Sequence, residues 1–368
     1  MQSNKLRMAI RSTAAVAVIG LAAQAGAVSF SAGDVEASIY GYVQLNASYD
    51  LNENLGPAGY GSFSNLGGPD EDIEGNFAAY AEQSRVGFTA THAEGVNVKV
   101  EGDFLGGDFR LRHAYGEYNG FLMGQNWSNY NSWVGNTSLF DFNGPAALAG
   151  RQLRNTQVRY TSGPLSLSAE QPSNASIEGG TQKTSTPAFT ARMEDGQGGL
   201  SYSVAVMAKQ VSHDTGTNDD TAIGYGGFVA LKMQVSDMIS VQGAINYTDG
   251  ASSYLYQSGA ADGYMDGGPG GSLETISGIG GALGAGIGLG GGRSINIGVG
   301  MIEMDYDDAV AAGVSVGDES RRNLFLNYQW SPVKNVSMGV ELSNWEAESV
   351  AGVSTDASRI MYVSRYSF

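Results

Sequence analysis

The chain ends on SRIMYVSRYSF (358–368). Along it Ile360, Tyr362, Ser364, Tyr366 and Phe368 fall on one face, and Arg359, Met361, Val363, Arg365 and Ser367 on the other. A period of two is the signature of a strand. Residues 320–331 repeat the pattern: Leu324, Leu326, Tyr328 and Trp330 face one way, Arg321, Asn323, Phe325 and Asn327 the other. Apolar residues on one side and Arg and Asn on the other invert a soluble core. They suit a wall with lipid outside and water inside.

Working back from the C-terminus, the alternation recurs in sixteen segments: 38–49, 77–90, 96–105, 108–119, 121–129, 152–162, 165–171, 187–195, 199–210, 221–235, 238–248, 275–289, 294–306, 320–331, 336–347 and 358–368. Most run to the ~9–11 residues that a membrane-spanning strand needs, against ~5–6 for soluble strands. Short turns fall at 92–95, 119–120, 163–164, 195–198, 236–237, 290–293 and 331–335. Long connectors fall between them, at 50–76, 130–150, 172–186, 211–220, 249–274, 307–319 and 348–357; only Gly106-Gly107 is short where a long one is due. Asn119-Gly120 is a strong two-residue hairpin signal. An even strand number with short turns at one end and long loops at the other predicts an all-β fold, a transmembrane 16-stranded antiparallel β-barrel with short periplasmic turns and long extracellular loops. Aromatics near strand ends (Tyr40, Tyr49, Tyr247, Tyr306, Trp330, Trp345, Tyr366) are candidates for interface girdles.

Composition agrees. Of 368 residues, 54 are Gly and 19 Tyr, charged residues make up only 15%, and there is no Cys. That excludes a disordered chain and a disulfide scaffold. A net charge of −17 argues against nucleic acid as a partner. Residues 1–27 read as a secretory signal peptide: Lys5, Arg7 and Arg11, an apolar run from Ala14 to Ala23, then small-x-small cleavage sites at 23–25 and 25–27. Its removal leaves 28–368 as the barrel, with 17 basic against 37 acidic residues, a net of −20. About ten residues then precede the first strand, too few for a periplasmic stalk.

Nothing in the sequence supports catalysis. His92, His113 and His213 are scattered, and no H-x-x-x-H or G-x-S-x-G occurs. No metal and no cofactor is expected. Asp262, Asp266 and Glu274 miss the EF-hand spacing and read as a solvated loop rather than a calcium site. Gly286 to Gly291 satisfies G-x-G-x-x-G as text, but no helix follows. Alternation puts Leu283, Ala285, Ile287 and Leu289 outside and Gly284, Gly286 and Gly288 inside, where small residues let another segment pack close.

The charges carry the functional reading. Acids gather in the long connectors, as in Asp50, Glu53, Asp70, Glu71, Asp72 and Glu74 of the first. Bases sit within strands. With the apolar face outward, Arg85, Lys99, Arg110, Arg112, Arg159, Arg192, Lys209, Lys232, Arg321, Arg359 and Arg365 face the lumen. A charge aimed at lipid would cost about 2–4 kcal/mol at the midplane, which favours that assignment. Glu101 and Asp103 face inward too. The connector 130–150, with Trp133, Asp141 and Phe142 and followed by Arg151 and Arg154, is the candidate constriction loop. Arg in a narrow passage favours carboxylates, because the guanidinium fork matches them. The alternative is that these Arg pair with Glu101, Asp103 and Glu117 and merely brace the wall.

Several motifs follow one another: Tyr40-Gly41-Tyr42-Val43, Ser84 to Phe88, Gly102-Asp103-Phe104, Arg110 to Glu117, Gly124 to Tyr130, Asp141 to Pro145, and Arg151-Gln152 through Arg159-Tyr160. In that order the chain resembles the DcaP-like outer-membrane porins of Gram-negative bacteria. The resemblance is densest over 38–162. It implies a trimeric, 16-stranded porin in the bacterial outer membrane, passing small anions, dicarboxylates among them, with loop 130–150 folded into an Arg-lined lumen. The closing Phe368 after Tyr366 resembles the terminal signature of such barrels. Trimerisation has one hint in the sequence: His113, Gly116, Ala79 and Ala81 fall where lipid would want large apolar side chains. Outer-membrane lipid and lipopolysaccharide are the expected surroundings, with the acidic loops facing the divalent cations that bridge lipopolysaccharide.

The expectation is therefore a passive, cofactor-free porin with a preference for anions. Two rivals stand beside it: a general, non-selective porin if paired acids neutralise the lumen Arg, and a closed structural or receptor barrel if the lumen is filled.

Overall fold

The computed structural model of the chain describes residues 27–68, 74–268 and 270–368. The secretory leader read from residues 1–27 lies, apart from Ala27, outside them, as do Asp70, Glu71 and Asp72. Sixteen wall strands follow in order: β1 (Val35–Asp50), β2 (Asn76–Tyr80 and Arg85–His92), β3 (Asn97–Asp103), β4 (Arg110–Tyr118), β5 (Phe121–Trp127), β6 (Arg154–Ser162), β7 (Leu165–Glu170), β8 (Ala188–Gln197), β9 (Leu200–Asp214), β10 (Asp219–Gln234), β11 (Ile239–Asp249), β12 (Ser277–Gly290), β13 (Arg293–Asp305), β14 (Asp318–Trp330), β15 (Val336–Ser349) and β16 (Ser354–Ser367). Each pairs antiparallel with its neighbour. The wall closes where β16 lies on β1, from Tyr42↔Ser367 to Asp50↔Arg359, with Gly41 and Phe368 exchanging two backbone hydrogen bonds of 2.9 Å. Closure leaves no free edge, which is what lets a β wall stand in hydrocarbon. No helix among the described residues is long and apolar enough to cross a membrane. The crossing is made by strands.

The two ends differ as the sequence predicts, with corrections. The Asn119-Gly120 turn has φ of +48° and +82°, the backbone of a two-residue hairpin. The segment 77–90 is not one strand. Its two pieces pair with different stretches of β1, Asn46–Asp50 and Val35–Tyr42. At the break Gln83 turns inward and accepts from Gln44 and Asn46 at 2.6 and 2.7 Å, so the interrupted ladder is replaced by side-chain bonds. Connectors 211–220 and 348–357 are not long loops either. β9 and β10 stay paired out to Asp214↔Asp219, and β15 and β16 out to Glu348↔Ser354. The stretch before the first strand is itself ordered: Val28–Ala32 forms a hairpin with Val35–Ile39 of β1.

Alternation sorts the side chains. On β13 Ile297, Val299 and Met301 are exposed, while Asn296, Ile302 and Met304 are buried. The outer half of the interior is not simply wet. Loop residues Leu55, Phe63, Leu255 and Tyr264 pack on Ile302, Phe325 and Trp345 of the wall. Phe63 meets Trp345 edge-on at 4.8 Å. Of the aromatics assigned to girdles, Tyr49, Tyr247 and Tyr366 are exposed. Trp345 and Tyr306 are instead buried: Trp345 shares the parity of the lumen residues of β15, and Tyr306, one residue past β13, packs in the same inner cluster.

Candidate functional site

The loop joining β5 to β6 builds the site. It leaves the wall after Trp127 and returns at Arg154, closed at its foot by Ser128 N donating to Leu153 O at 2.9 Å. Between them it lies along the inside of β11–β15. Glycine makes the seat: a side chain at Gly284 would run into Thr137, one at Gly300 into the backbone of Ala146, and one at Gly339 into the Phe140 ring. On β12 it is Gly280 and Gly284 that accept the packed segment, whereas Gly286 and Gly288 face only neighbouring wall and turn residues. Polar side chains of the wall then satisfy the loop's backbone. Glu341 accepts from Phe140 N and Asp141 N at 2.7 and 2.8 Å. Asn323 accepts from Ala146 N and Asn246 from Gly150 N, both at 2.9 Å. Asn327 and Gln329 donate to Ser138 O at 3.0 and 2.9 Å.

With the loop on that side, the passage runs against β1–β4 and β16. A cavity of about 400 Å³ lies there, lined on the loop side by Trp133, Phe140 and Phe142 and on the wall side by Tyr40, Arg85, Lys99, Glu101, His113 and Arg365. Its electrostatics are set by β3 and β4. Register slips between Glu101↔His113 and Gly102↔Leu111, so β4 bulges at Arg112. A bulge re-aims side chains, and here it turns both Arg112 and His113 inward and buries them. His113 is therefore not an outward residue, and the hint of trimerisation drawn from it falls.

Glu101 collects cations: Arg112 Nε at 3.2 Å, Lys99 Nζ at 3.5 Å and Arg85 Nη1 at 3.6 Å, with His113 Nε2 at 4.0 Å and the Tyr40 hydroxyl donating at 2.8 Å. Asp103 takes Arg110 through two hydrogen bonds of 2.9 Å and Arg112 at 2.7 Å. Two further guanidinium groups beside the cavity face no carboxylate within ion-pair distance among the described residues. Arg154 stacks on Trp127 with its centre 4.5 Å from the ring, and its nearest charged neighbours include Arg112, Arg85 and Arg110. Arg365 stacks on Tyr42 at 4.2 Å and donates to Gln44 at 2.6 Å. Arg85, Lys99, Arg110, Arg112, Arg154 and Arg365 therefore outnumber Glu101 and Asp103 by four. Asp141 and Glu341 answer from the loop side, leaving a net of about two positive charges. Asp141 is buried, accepts from Gly61 N and Asn143 N at 2.9 and 3.0 Å, and lies 4.0 Å from Arg359. Burial holds its carboxyl above the ordinary carboxylate range, against the pull of Arg359 and the backbone donors.

Not every candidate gathers here. Arg85, Lys99, Arg110 and Arg112 do, as do Trp133, Asp141 and Phe142. Arg159 and Arg192 lie further along the wall; Arg192 donates to Asn131 O and has Glu194 at 3.8 Å. Arg321 and Arg359 brace the long-loop end. Arg321 grips Asp318 at 2.7 and 2.9 Å and donates to Gln257 O at 2.8 Å. Arg359 forks onto Asp50 at 2.6 and 2.8 Å and donates to Gly56 O at 2.6 Å. Arg151 sits under Tyr254, 5.3 Å from the ring and away from the cavity. Sequence reasoning left Arg154 out of the site. Strict alternation from Arg159 puts it outside, yet its guanidinium lies over the ring of Trp127, which lines the cavity. Lys209 is sealed against Asp262, which also accepts from Ser253 N at 3.1 Å and Ala175 N at 3.0 Å. Asp262 is thus a buried partner rather than a solvated loop acid. Among the described residues no cluster of His, Asp and Glu could hold a metal ion.

The sequence profile of the DcaP outer membrane protein family matches residues 22–368. No curated protein matches the chain significantly. Among solved structures, the outer membrane channel DcaP of Acinetobacter baumannii is 27% identical, with a TM-score of 0.79 over 92% of this chain and 99% of that one. The anion-selective porin from Comamonas acidovorans is 13% identical, with a TM-score of 0.61 over 91% of this chain and all of the other. The trimer form of OmpT from Vibrio cholerae is 12% identical, with a TM-score of 0.57 over 91% and 99%. The last two likenesses concern the fold alone.

Proposed function

We propose that this chain, which belongs to the DcaP outer membrane protein family, passes small carboxylates in preference to cations. The protein is a porin channel of the bacterial outer membrane and not an enzyme; the preference for carboxylates is what is proposed. The observation that carries it is the excess of guanidinium groups beside the loop, above all Arg154 and Arg365, which stack on aromatic rings instead of on carboxylates. Stacking fixes a guanidinium plane and leaves its N–H edges for a passing anion. At an effective dielectric of about 20, one such charge at 4 Å is worth roughly 4 kcal/mol, the equivalent of a millimolar affinity. Binding of that order draws an anion in and still lets it go. A 400 Å³ cavity limits the solutes to small ones. Dicarboxylates such as succinate fit a site that offers several cations to two anionic ends.

A general porin is the second reading. Eight of the eleven bases first assigned to the lumen (Arg85, Lys99, Arg110, Arg112, Arg192, Lys209, Arg321, Arg359) contact a carboxylate, which favours it. Proteoliposome swelling separates the two. Succinate should enter several times faster than 1,4-butanediol of the same length; equal rates refute the preference.

Self-association into trimers belongs to the same proposal. Strands β3–β7 have only six to nine residues, against 13 or 14 in β12–β16. That low stretch of wall still exposes Val100, Leu111 and Met123. A neighbouring copy would cover it. A folded protein that migrates on native gels and crosslinks only as a single copy contradicts this. Contact with lipopolysaccharide through the outer loops is likewise proposed. It predicts that EDTA loosens the loops toward protease; loops equally protected with and without EDTA contradict it.

A further inference from the structure

Glu101 is set in the cavity wall with more donors than a carboxylate can hold closely. Two are hydrogen bonds, from Tyr40 at 2.8 Å and Arg112 at 3.2 Å. Lys99 and Arg85 stand back at 3.5 and 3.6 Å and have aromatic support of their own, Lys99 over Tyr40 at 5.3 Å and Arg85 over Tyr42 at 5.3 Å. Those two cations face the cavity and are only loosely claimed. Asp103 is a different case. It is fully buried, held through hydrogen bonds by Arg110 and Arg112, and takes no part in the cavity lining.

We propose that Glu101 is an internal counter-anion that sets how fast a solute leaves. The proposal rests on the carboxylate reading above. A carboxylate arriving in the cavity takes Lys99 and Arg85. Glu101 keeps Tyr40 and Arg112, stays a few ångströms from the solute, and repels it. As the solute moves on, Lys99 and Arg85 swing back to Glu101, so no bare cation has to be left behind. Without that resident charge the same cations would hold the solute as a trap, and a pore that binds too well stops conducting.

Single-channel recording in planar bilayers with added succinate tests this on the full barrel. Glu101→Gln keeps the shape and removes the charge: its oxygen takes the place of Oε1 and accepts from Arg112, and its NH2 takes the place of Oε2 and donates to the Tyr40 hydroxyl, which can turn to accept. It should lengthen succinate dwell times about tenfold, the factor that corresponds to roughly 1.4 kcal/mol. Asp237→Asn, which neutralises an exposed acid in the turn between β10 and β11 away from the cavity lining, should leave dwell times near wild type. Tyr40→Phe acts in the opposite sense: Glu101 loses its shortest donor, draws on Lys99 and Arg85, and shortens dwell by about threefold. It also serves should Glu101→Gln not fold. Unchanged or shorter dwell in a folded Glu101→Gln barrel overturns the proposal, and so does longer dwell in Tyr40→Phe. A wild-type channel that prefers potassium to chloride removes the carboxylate reading, and this proposal with it. A chloride-preferring wild type with no dwell effect in either variant removes this proposal alone.

Discussion

Glu341→Gln tests whether the inner loop is fixed by its seat. The Glu341 carboxylate accepts from Phe140 N at 2.7 Å and Asn327 Nδ2 at 2.9 Å through one oxygen, and from Asp141 N at 2.8 Å through the other. A glutamine of the same shape has one oxygen. Placed to keep Phe140 and Asn327, it turns its NH2 toward the N–H of Asp141 and leaves a buried donor without an acceptor. That costs about 1–3 kcal/mol. The loop keeps Asn323 under Ala146 N and Asn246 under Gly150 N, so only the stretch around 138–142 loosens. The penalty raises the population of the unseated loop by roughly 5- to 160-fold. Since this stretch lines the cavity, each unseating changes the pore cross-section. Single-channel current at high salt should show added open-state noise and brief steps to a second conductance. A trace as quiet as wild type, at the wild-type conductance, refutes the idea that this carboxylate seats the loop.

Three other perturbations follow from the same geometry. Lys209→Met leaves Asp262 buried without its cation, which costs about 3–5 kcal/mol; the barrel should lose its compact gel form at a lower temperature and the 249–262 loop should become open to protease, while Lys209→Met with Asp262→Leu recovers most of the loss. A single variant as heat-resistant as wild type contradicts this. Arg154→Gln together with Arg365→Gln removes two cations that no carboxylate balances, so chloride preference should fall without loss of folding; an unchanged preference moves the selective charges elsewhere. Gly300→Val drives a side chain into the backbone of Ala146 and should displace the loop, with a conductance different from wild type; the wild-type value would mean that the seat tolerates it.

The strand count and lumen face were legible because a lipid-facing wall forces strict alternation, and one residue of slip would turn Arg359 or Arg321 into hydrocarbon. The same logic misled where the ladder breaks. The bulge at Arg112–His113 and the excursion at 81–84 each shift parity, yet Arg and His side by side, or Gln83 beside Ser84, carry no mark that separates a bulge from a regular strand. The ends of β9, β10, β15 and β16 were read short, since polar residues such as Ser212 and Asp219 resemble loop once a strand rises past the apolar band. Arg85, Arg110 and Arg112 could be placed inside from parity alone. Which of them meet Glu101 and which meet Asp103 depends on register across three strands. That Arg321 and Arg359 brace loops instead of facing the cavity depends on where Asp318 and Asp50 end up, which no local pattern states.

The reversal potential of the purified channel in a planar bilayer, under a tenfold KCl gradient, tests the central claim most directly. It needs no assumption about the natural solute. The cationic wall predicts a potential on the chloride side, which added succinate lowers toward zero as the bound dianion neutralises the lumen cations. A potential on the potassium side would mean that Asp141, Glu341 and the acidic loops set the field, and would contradict the account.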